Sequence, residues 1–312
     1  MRDTLIGWIT RLLSALFPTV RRPEPAEGPL APASILILKP CCLGDVLLAT
    51  PAVAALKRAF PDAQIDFAVG SWARAAVANS PHLRQLVDTG KVGQGAYGWR
   101  DLWSLAARLR AGHYDLCVTL DRSPRIGLVP WLAGIPLRAG LDSRGRGFAH
   151  NIRVPVPPIR YEPELYLDVP RAVIPQTARS KFDFVPSEFF PTDADKAFAQ
   201  ALLQAALPDP RWPIVAIHPG GGNNPGMVLA SKRWPAERFA AIANRLSETY
   251  KATVVLIGAD SDREATQAVR AAMPFDRLTA TPLDLTARLN FGQLGALYQR
   301  CALMIGNDSG VL

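Results

Sequence analysis

ILILKPCCLGDVLLATPAVAALKRAFP, residues 35–61, is the stretch that decides the fold. Ile35 to Leu38 is a short β-branched and leucine run of the kind that makes a buried parallel strand. Val46, Ala49, Val53, Leu56 and Phe60 recur at helical spacing, which predicts a helix over 46–60. Between the two, Gly44 permits a tight turn and Asp45 falls at the expected helix N-cap. A strand that runs into a helix N-terminus gathers free N–H groups at the carboxyl edge of a sheet, where α/β proteins bind ligands. Asp45 reads equally well as a plain cap and as a carboxylate presented to a ligand.

Composition sets the outer limits. With 312 residues, 49% of them hydrophobic, the chain can bury two ordinary cores, so two α/β domains are expected. The formal charge of +8 favours anionic partners: nucleotides, phosphorylated glycolipid, a membrane surface or nucleic acid. No aromatic-interleaved basic motif, zinc spacing or basic heptad region raises nucleic acid above the rest. The four cysteines, Cys41, Cys42, Cys117 and Cys301, form no CxxC pair and read as reduced cytosolic thiols.

The first residues form a separate element. Leu5, Ile6, Trp8, Ile9, Leu12, Leu13, Leu16 and Phe17 make one apolar helical face, and Pro18 stops it. The segment is too short to span a bilayer and is interrupted by Arg11. Trp8 flanked by Arg2, Arg11, Arg21 and Arg22 suits a helix lying in an anionic membrane interface, against the alternative of a helix packed on its own domain or a partner. The proline-rich stretch 18–32 reads as a linker.

Strand and helix signals then alternate: strands at 64–69, 86–89 and 116–120, helices at 72–79, 100–110 and 126–132, and a basic stretch over 138–153. Residues 155–191 are rich in proline and aromatics with poor periodicity, which marks a crossover between halves. The pattern restarts with helices at 193–206, 236–250, 262–272 and 291–300 and strands at 214–218, 253–257 and 302–305. Two doubly wound halves with a cleft between them are the simplest architecture.

Three further constellations fall at strand ends. His218-Pro219-Gly220-Gly221-Gly222 follows a strand and can approach phosphate oxygens closely, or be a surface turn. Ser231-Lys232-Arg233-Trp234-Pro235 places a lysine just ahead of a helix, either as a point charge for a diphosphate or as a solvated side chain. Met304 to Gly310 is a strand ending in small polar residues whose N–H groups can cradle phosphate, or another capped turn.

Together, LGDVLLATPAVAALKRAFP, IHPGG, SKRWPAERF, IGADSDRE and IGNDSG resemble, in order and spacing, glycosyltransferase family 9, the heptosyltransferase family of lipopolysaccharide core assembly. The resemblance covers 34–312. It implies a GT-B-like α/β fold of two Rossmann-like doubly wound domains facing across a cleft. Residues 34–190 would be the acceptor-binding domain and 191–312 the nucleotide-sugar-binding domain, preceded by the helix and linker of 1–33. The chain stops just after the DSG loop, where family members continue, so the second domain is expected to be incomplete.

The implied activity is metal-independent, inverting transfer of a heptose or related sugar from a nucleotide-diphosphate donor, in known members usually ADP-heptose, to a hydroxyl of a lipid-linked or cell-envelope glycan. Asp45 matches the proposed general base. Donor contacts would come from Gly220, Gly221, Lys232, Asp262, Asp308, Ser309 and Gly310, with Asp262, and Glu264 as second choice, matching the acid that contacts the nucleoside ribose. Gly44, Arg122, Arg125 and Arg144 would meet an anionic glycolipid or glycan acceptor.

The nucleotide-sugar is a co-substrate, and neither a cofactor nor a metal is expected; the DxD spelling of 260–262 belongs to a different glycosyltransferase fold. The implied location is cytoplasmic, peripheral on the inner face of the cytoplasmic membrane through residues 1–17, with no nucleic-acid partner. A two-Rossmann nucleotide-sugar epimerase and an inactive membrane-associated fragment are the competing classes. Two features depart from better-known members: the Pro40-Cys41-Cys42-Leu43 turn and a longer glycine-rich loop over 220–230.

Overall fold

The computed structural model describes residues 12, 17, 31–93, 96–175, 185–207, 209, 211–221, 223–224, 227–228, 230–273 and 281–308. Most of the N-terminal helix and linker expected over 1–33, together with Ser309 and Gly310, lie outside them. The chain divides into two compact units, Met1–Phe189 and Phe190–Leu312.

The first unit is built on six parallel strands: β1 (Ser34–Leu38), β2 (Gln64–Val69), β3 (Gln85–Asp88), β4 (Leu116–Thr119), β5 (Leu137–Asp142) and β6 (Ile152–Pro155). Their order is β3-β2-β1-β4-β5-β6, the doubly wound Rossmann arrangement. Ile35 to Leu38 are fully buried, because a central strand of such a sheet is covered on both faces. Leu36 and Leu38 pack with Leu102, Leu105 and Leu109 of the helix Trp99–Arg110 and with Ile126 and Val129 of the helix Pro124–Leu132.

The second unit has a four-stranded parallel sheet and a short antiparallel pair. In chain order the strands are β7 (Ile214–His218), the pair β8 (Asn223–Asn224) and β9 (Met227–Val228), then β10 (Thr253–Leu256), β11 (Leu283–Asp284) and β12 (Leu303–Gly306). The sheet order is β11-β10-β7-β12. Val215, Ile217, Val254 and Leu256 pack against Phe239, Ala240 and Ala243 of the helix Ala236–Tyr250. Ala216 and Val255 face Leu203 and Leu297 on the opposite side.

Several sequence expectations are corrected. The helix expected over 46–60 is two helices, Leu43–Leu48 and Thr50–Ala59, jointed where Pro51 enters the second at its first turn. The 72–79 helix is a single 3₁₀ stretch, Ser71–Ala76. The basic stretch 138–153 contains β5 and β6, and Arg138 and Arg153 bond backbone carbonyls, Arg138 those of Ile135, Pro136 and Ala149, and Arg153 those of Phe148, His150 and Phe17. The crossover read over 155–191 hides a helix, Glu162–Val173, with Pro163 in its first turn and Pro170 near its end. Those prolines masked its periodicity, yet Leu165, Tyr166, Leu167 and Val169 are buried in it.

Candidate active site

In a doubly wound sheet the ligand crevice opens beyond the carboxyl ends of the two neighbouring strands where the order reverses. In the first unit those strands are β1 and β4, registered with Leu38 beside Thr119, so both chains leave the sheet side by side. Lys39 exits β1 and Asp121 follows β4. The β1 exit turns at Cys42, whose φ of +76° is unusual for a non-glycine residue, and Gly93 is packed against it so closely that a Cβ there would lie 2.5 Å from Pro40 Cβ.

Gly44 and Asp45 lie inside the first turn of Leu43–Leu48, not before it. Cys42 occupies the N-cap position and no side chain caps the helix, so Asp45 is free of the plain capping role. Its carboxylate instead meets Lys39: Nζ lies 3.0 Å from Asp45 Oδ2 and 3.6 Å from Asp121 Oδ2, with the ring centroid of Tyr166 at 5.5 Å. The lysine side chain is 7% exposed, Asp121 15% and Asp45 42%, so the ammonium is sunk beneath one sheltered and one open carboxylate. Burial alone would lower the lysine pKa; Asp121, Tyr166 and Asp45 outweigh it and hold the group well above its ordinary value, firmly protonated.

The arginines assigned to the acceptor side occupy the same carboxyl edge with different partners. Arg122 pairs with Glu162. Arg125 sits 5.5 Å from the ring centroid of Tyr97 and 5.4 Å from that of Trp99, and Arg144, at φ +55°, is exposed in the turn after β5.

In the second unit the order reverses between β7 and β12, and of the expected donor residues Gly220, Gly221, Lys232, Asp262 and Asp308 are described there, Ser309 and Gly310 lying outside the described residues. Asp262 is buried. Its Oδ1 accepts from the Gly221 amide at 3.1 Å, and its Oδ2 accepts from the Ala259 amide at 2.9 Å and lies 3.3 Å from His218 Nε2. Burial opposes the charge, but His218 and the two amides prevail and bring the pKa down to about 2. With both oxygens engaged, Asp262 ties the glycine loop to the β10 exit. Gly220 is required beside it, since a Cβ there would lie 2.2 Å from Asp262 Oδ1. Asp260 is exposed and pairs with Arg263.

Asn307, which the sequence reading passed over inside IGNDSG, joins the loops. Its Nδ2 donates to the carbonyls of Pro219 and Gly220 at 2.8 and 2.9 Å, and its Oδ1 accepts from the Trp234 amide at 3.0 Å. Arg233 Nε donates to the Gly221 carbonyl at 3.0 Å. Lys232 Nζ lies 2.5 Å from Asp308 Oδ2, both side chains being open to solvent at 42% and 84%. Lys39 and Asp121 were likewise missed; the signal available was a charged residue at the exit of each of two apolar strands.

Chemically, the first edge offers an accessible carboxylate 3.0 Å from a buried ammonium, an arrangement that suits a general base. The second offers a glycine loop fixed by buried polar side chains and an exposed ammonium, which suits a diphosphate.

A family model described as glycosyltransferase family 9 (heptosyltransferase) matches residues 102–312, more than half of the chain. Lipopolysaccharide heptosyltransferase 2 of Escherichia coli K12 is 27% identical over 287 residues, covering 89% of this chain and 78% of that protein. Lipooligosaccharide heptosyltransferase 2 of Haemophilus influenzae is 26% identical over 287 residues, covering 89% and 79%. Among solved structures, the E. coli ADP-heptose lipopolysaccharide heptosyltransferase II superposes with a TM-score of 0.67 at 25% identity, covering 89% of this chain and 80% of that one. A glycosyl transferase family 9 structure from Veillonella parvula gives 0.74 at 21% identity, covering 89% and 76%, and shares the fold.

Proposed function

The chain belongs to glycosyltransferase family 9 and is a glycosyltransferase of GT-B-like fold; from that premise we propose that it transfers a heptose or closely related sugar, with inversion, from an ADP-linked donor to a hydroxyl of an anionic, lipid-linked or cell-envelope glycan. The observation that carries this reading is Asp45: a half-exposed carboxylate at the strand-order reversal, free of helix capping and pinned beside a buried ammonium.

The acceptor O–H bond breaks as its oxygen bonds the anomeric carbon, and the proton passes to Asp45. The bond between that carbon and the diphosphate breaks, and its electron pair leaves on ADP. Lys232 and the Gly220 amide offset the charge that grows on the diphosphate. Asp308 releases Lys232 to the incoming phosphate, Asp262 holds the loop in shape, and the DSG residues Ser309 and Gly310 supply further donors. Arg122, Arg125 and Arg144 draw anionic groups of the acceptor towards the edge where Gly44 and Asp45 lie. The reaction uses no metal and no cofactor beyond the nucleotide-sugar, and no nucleic acid takes part. Residues 1–17 hold the enzyme on the inner face of the cytoplasmic membrane, where a lipid-linked acceptor is reached.

Support comes from relatives named as heptosyltransferases and a solved relative named for ADP-heptose. The test is ADP release from ADP-heptose with and without a heptose-deficient lipopolysaccharide acceptor. Release that depends on acceptor is expected. Donor turnover without acceptor would replace this reading with epimerase chemistry, and no turnover in either case would make the chain an inactive binder.

A further inference from the structure

Lys39 is a buried ammonium facing two carboxylates of unequal exposure, and the inequality has a chemical use. If Asp45 takes up a proton during transfer, its charge disappears. A buried ammonium with no other partner would then be left uncompensated, at high cost. Asp121, nearly covered at 15% exposure and 3.6 Å from Nζ, remains as the counter-ion.

The geometry points to Lys39 and Asp121 as positioning residues for the base: Lys39 aims the Asp45 carboxylate, and Asp121 stays as counter-ion to Lys39 while Asp45 accepts and releases a proton. This rests on the assignment of Asp45 as the base and adds to it two residues with opposite effects.

The surroundings contain few other charges. Tyr166, from the helix Glu162–Val173, is a further titratable group beside Lys39, and burial pushes its phenol up, so it stays neutral. Glu162 of the same helix is paired with Arg122. On the strand-exit loop, Cys42 hydrogen-bonds Cys41, which brings its thiol down to about 7, while Cys41 is held protonated. The turn Ser71–Ala76, packed on Leu43–Leu48, carries Arg74, which is exposed. On the helix Thr50–Ala59, Lys57 is bonded to the carbonyls of Pro61 and Ala63, and Arg58 is paired with Glu188.

The two roles give shifts of opposite sign. Removing the positive charge with Lys39→Met raises the Asp45 pKa and moves the acid limb of kcat/KM up by about one to two pH units. Removing the nearby negative charge with Asp121→Asn lowers the Asp45 pKa, moves that limb down by about one unit and reduces the plateau, because the base is weaker. Lys39→Arg keeps the charge and leaves the limb near its wild-type position.

The experiment records kcat/KM against pH for the wild type and these variants of the full chain, with ADP-heptose and a saturating acceptor, alongside thermal melting and donor calorimetry. Opposite shifts with unchanged donor affinity support the proposal. Folded Lys39→Met and Asp121→Asn variants whose acid limbs coincide with wild type overturn it, as would shifts of these two in the same direction. If Lys39→Met does not fold, Asp121→Asn decides: a downward shift, with the limb of Lys39→Arg at its wild-type position, supports the proposal, and an unmoved or upward-shifted limb in Asp121→Asn overturns it. Asp45→Asn serves as the reference: full activity there defeats the base assignment itself, whereas an inactive Asp45→Asn with unmoved limbs in the other variants defeats only the roles of Lys39 and Asp121.

Discussion

Asp262 Oδ1 accepts the Gly221 amide at 3.1 Å, so a buried carboxylate sets the shape of the glycine loop after β7. The closeness of Gly220 to the same oxygen makes this loop intolerant of a side chain. Gly220→Ala is expected to destabilise the protein by about 1–3 kcal/mol and to weaken ADP binding, because the loop must move to admit the methyl group. Urea denaturation and calorimetry with ADP check the two effects. Unchanged stability together with unchanged affinity would show that the loop yields freely.

Asp262 also predicts a pH effect. Its pKa is about 2 in the folded chain against an ordinary 3.8, so its contribution is present above 3.8 and is lost as pH falls towards 2. The contribution amounts to about 2 kcal/mol. His150 acts in a different window. It is buried, its Nδ1 has no hydrogen-bond partner among the described residues, and Gly127 and Gly140 pack against its ring. Burial, and then Arg138 and Arg153, bring its pKa from 6.5 to about 3. Below 6.5 the unfolded chain binds a proton that the folded chain refuses, so stability falls by up to about 1.4 kcal/mol per pH unit until pH 3. Denaturation at pH 7, 5.5 and 4.5 should show that slope reduced in His150→Asn; equal slopes would contradict it.

How the chain concealed some of this is physically plain. The β1 strand, the Gly-Asp turn and the apolar helix that follows are local patterns, and their existence is legible residue by residue. Asp45 stood out because it follows a glycine at a strand exit. Lys39 stands in the same string, but its meaning depends on Asp121, which only the β1–β4 neighbourhood brings within reach. Asn307 was obscured in the same way: its partners Pro219, Gly220 and Trp234 come from other loops. The helix Glu162–Val173 was hidden by prolines that a helix tolerates at its first turn and near its end. Arg138 and Arg153, seen in the sequence only as part of a basic stretch, bond carbonyls around β5 and β6 that only the fold brings to them.

Lys232 separates function from stability. Its pair with Asp308 is open to solvent, and such pairs add little to folding. Lys232→Ala is therefore expected to leave the melting temperature unchanged while lowering ADP affinity about 10- to 100-fold, the loss of one charge-assisted contact to phosphate. A large drop in melting temperature with intact ADP binding would reverse that assignment.

Asp66 tests the core beneath the first sheet. It is fully buried and accepts from Arg84 Nε at 2.9 Å, Arg84 Nη2 at 2.6 Å, Gln85 at 2.8 Å and the Tyr114 hydroxyl at 2.7 Å. Burial pushes its pKa up, but these donors together hold it below the ordinary value. Tyr114→Phe should cost about 1–3 kcal/mol, since it leaves a buried carboxylate one donor short. Chemical denaturation reads this directly.

Phe17 packs edge-on against Trp131 and Phe148, with ring centroids 5.3 Å away in each case. Deleting residues 1–16 keeps that contact while removing Trp8, Arg2 and Arg11. Co-sedimentation with vesicles rich in phosphatidylglycerol should then be lost while transfer to a detergent-dispersed acceptor persists. Undiminished vesicle binding by the shortened chain would place membrane contact elsewhere.

The central claim is that Asp45 removes the acceptor proton. Its most direct measurement is kcat for Asp45→Asn with ADP-heptose and acceptor, beside calorimetry of donor binding. The account predicts that kcat falls by about 10² to 10⁴-fold with donor affinity within about threefold of wild type. A variant that turns over at the wild-type rate while binding donor normally would contradict it.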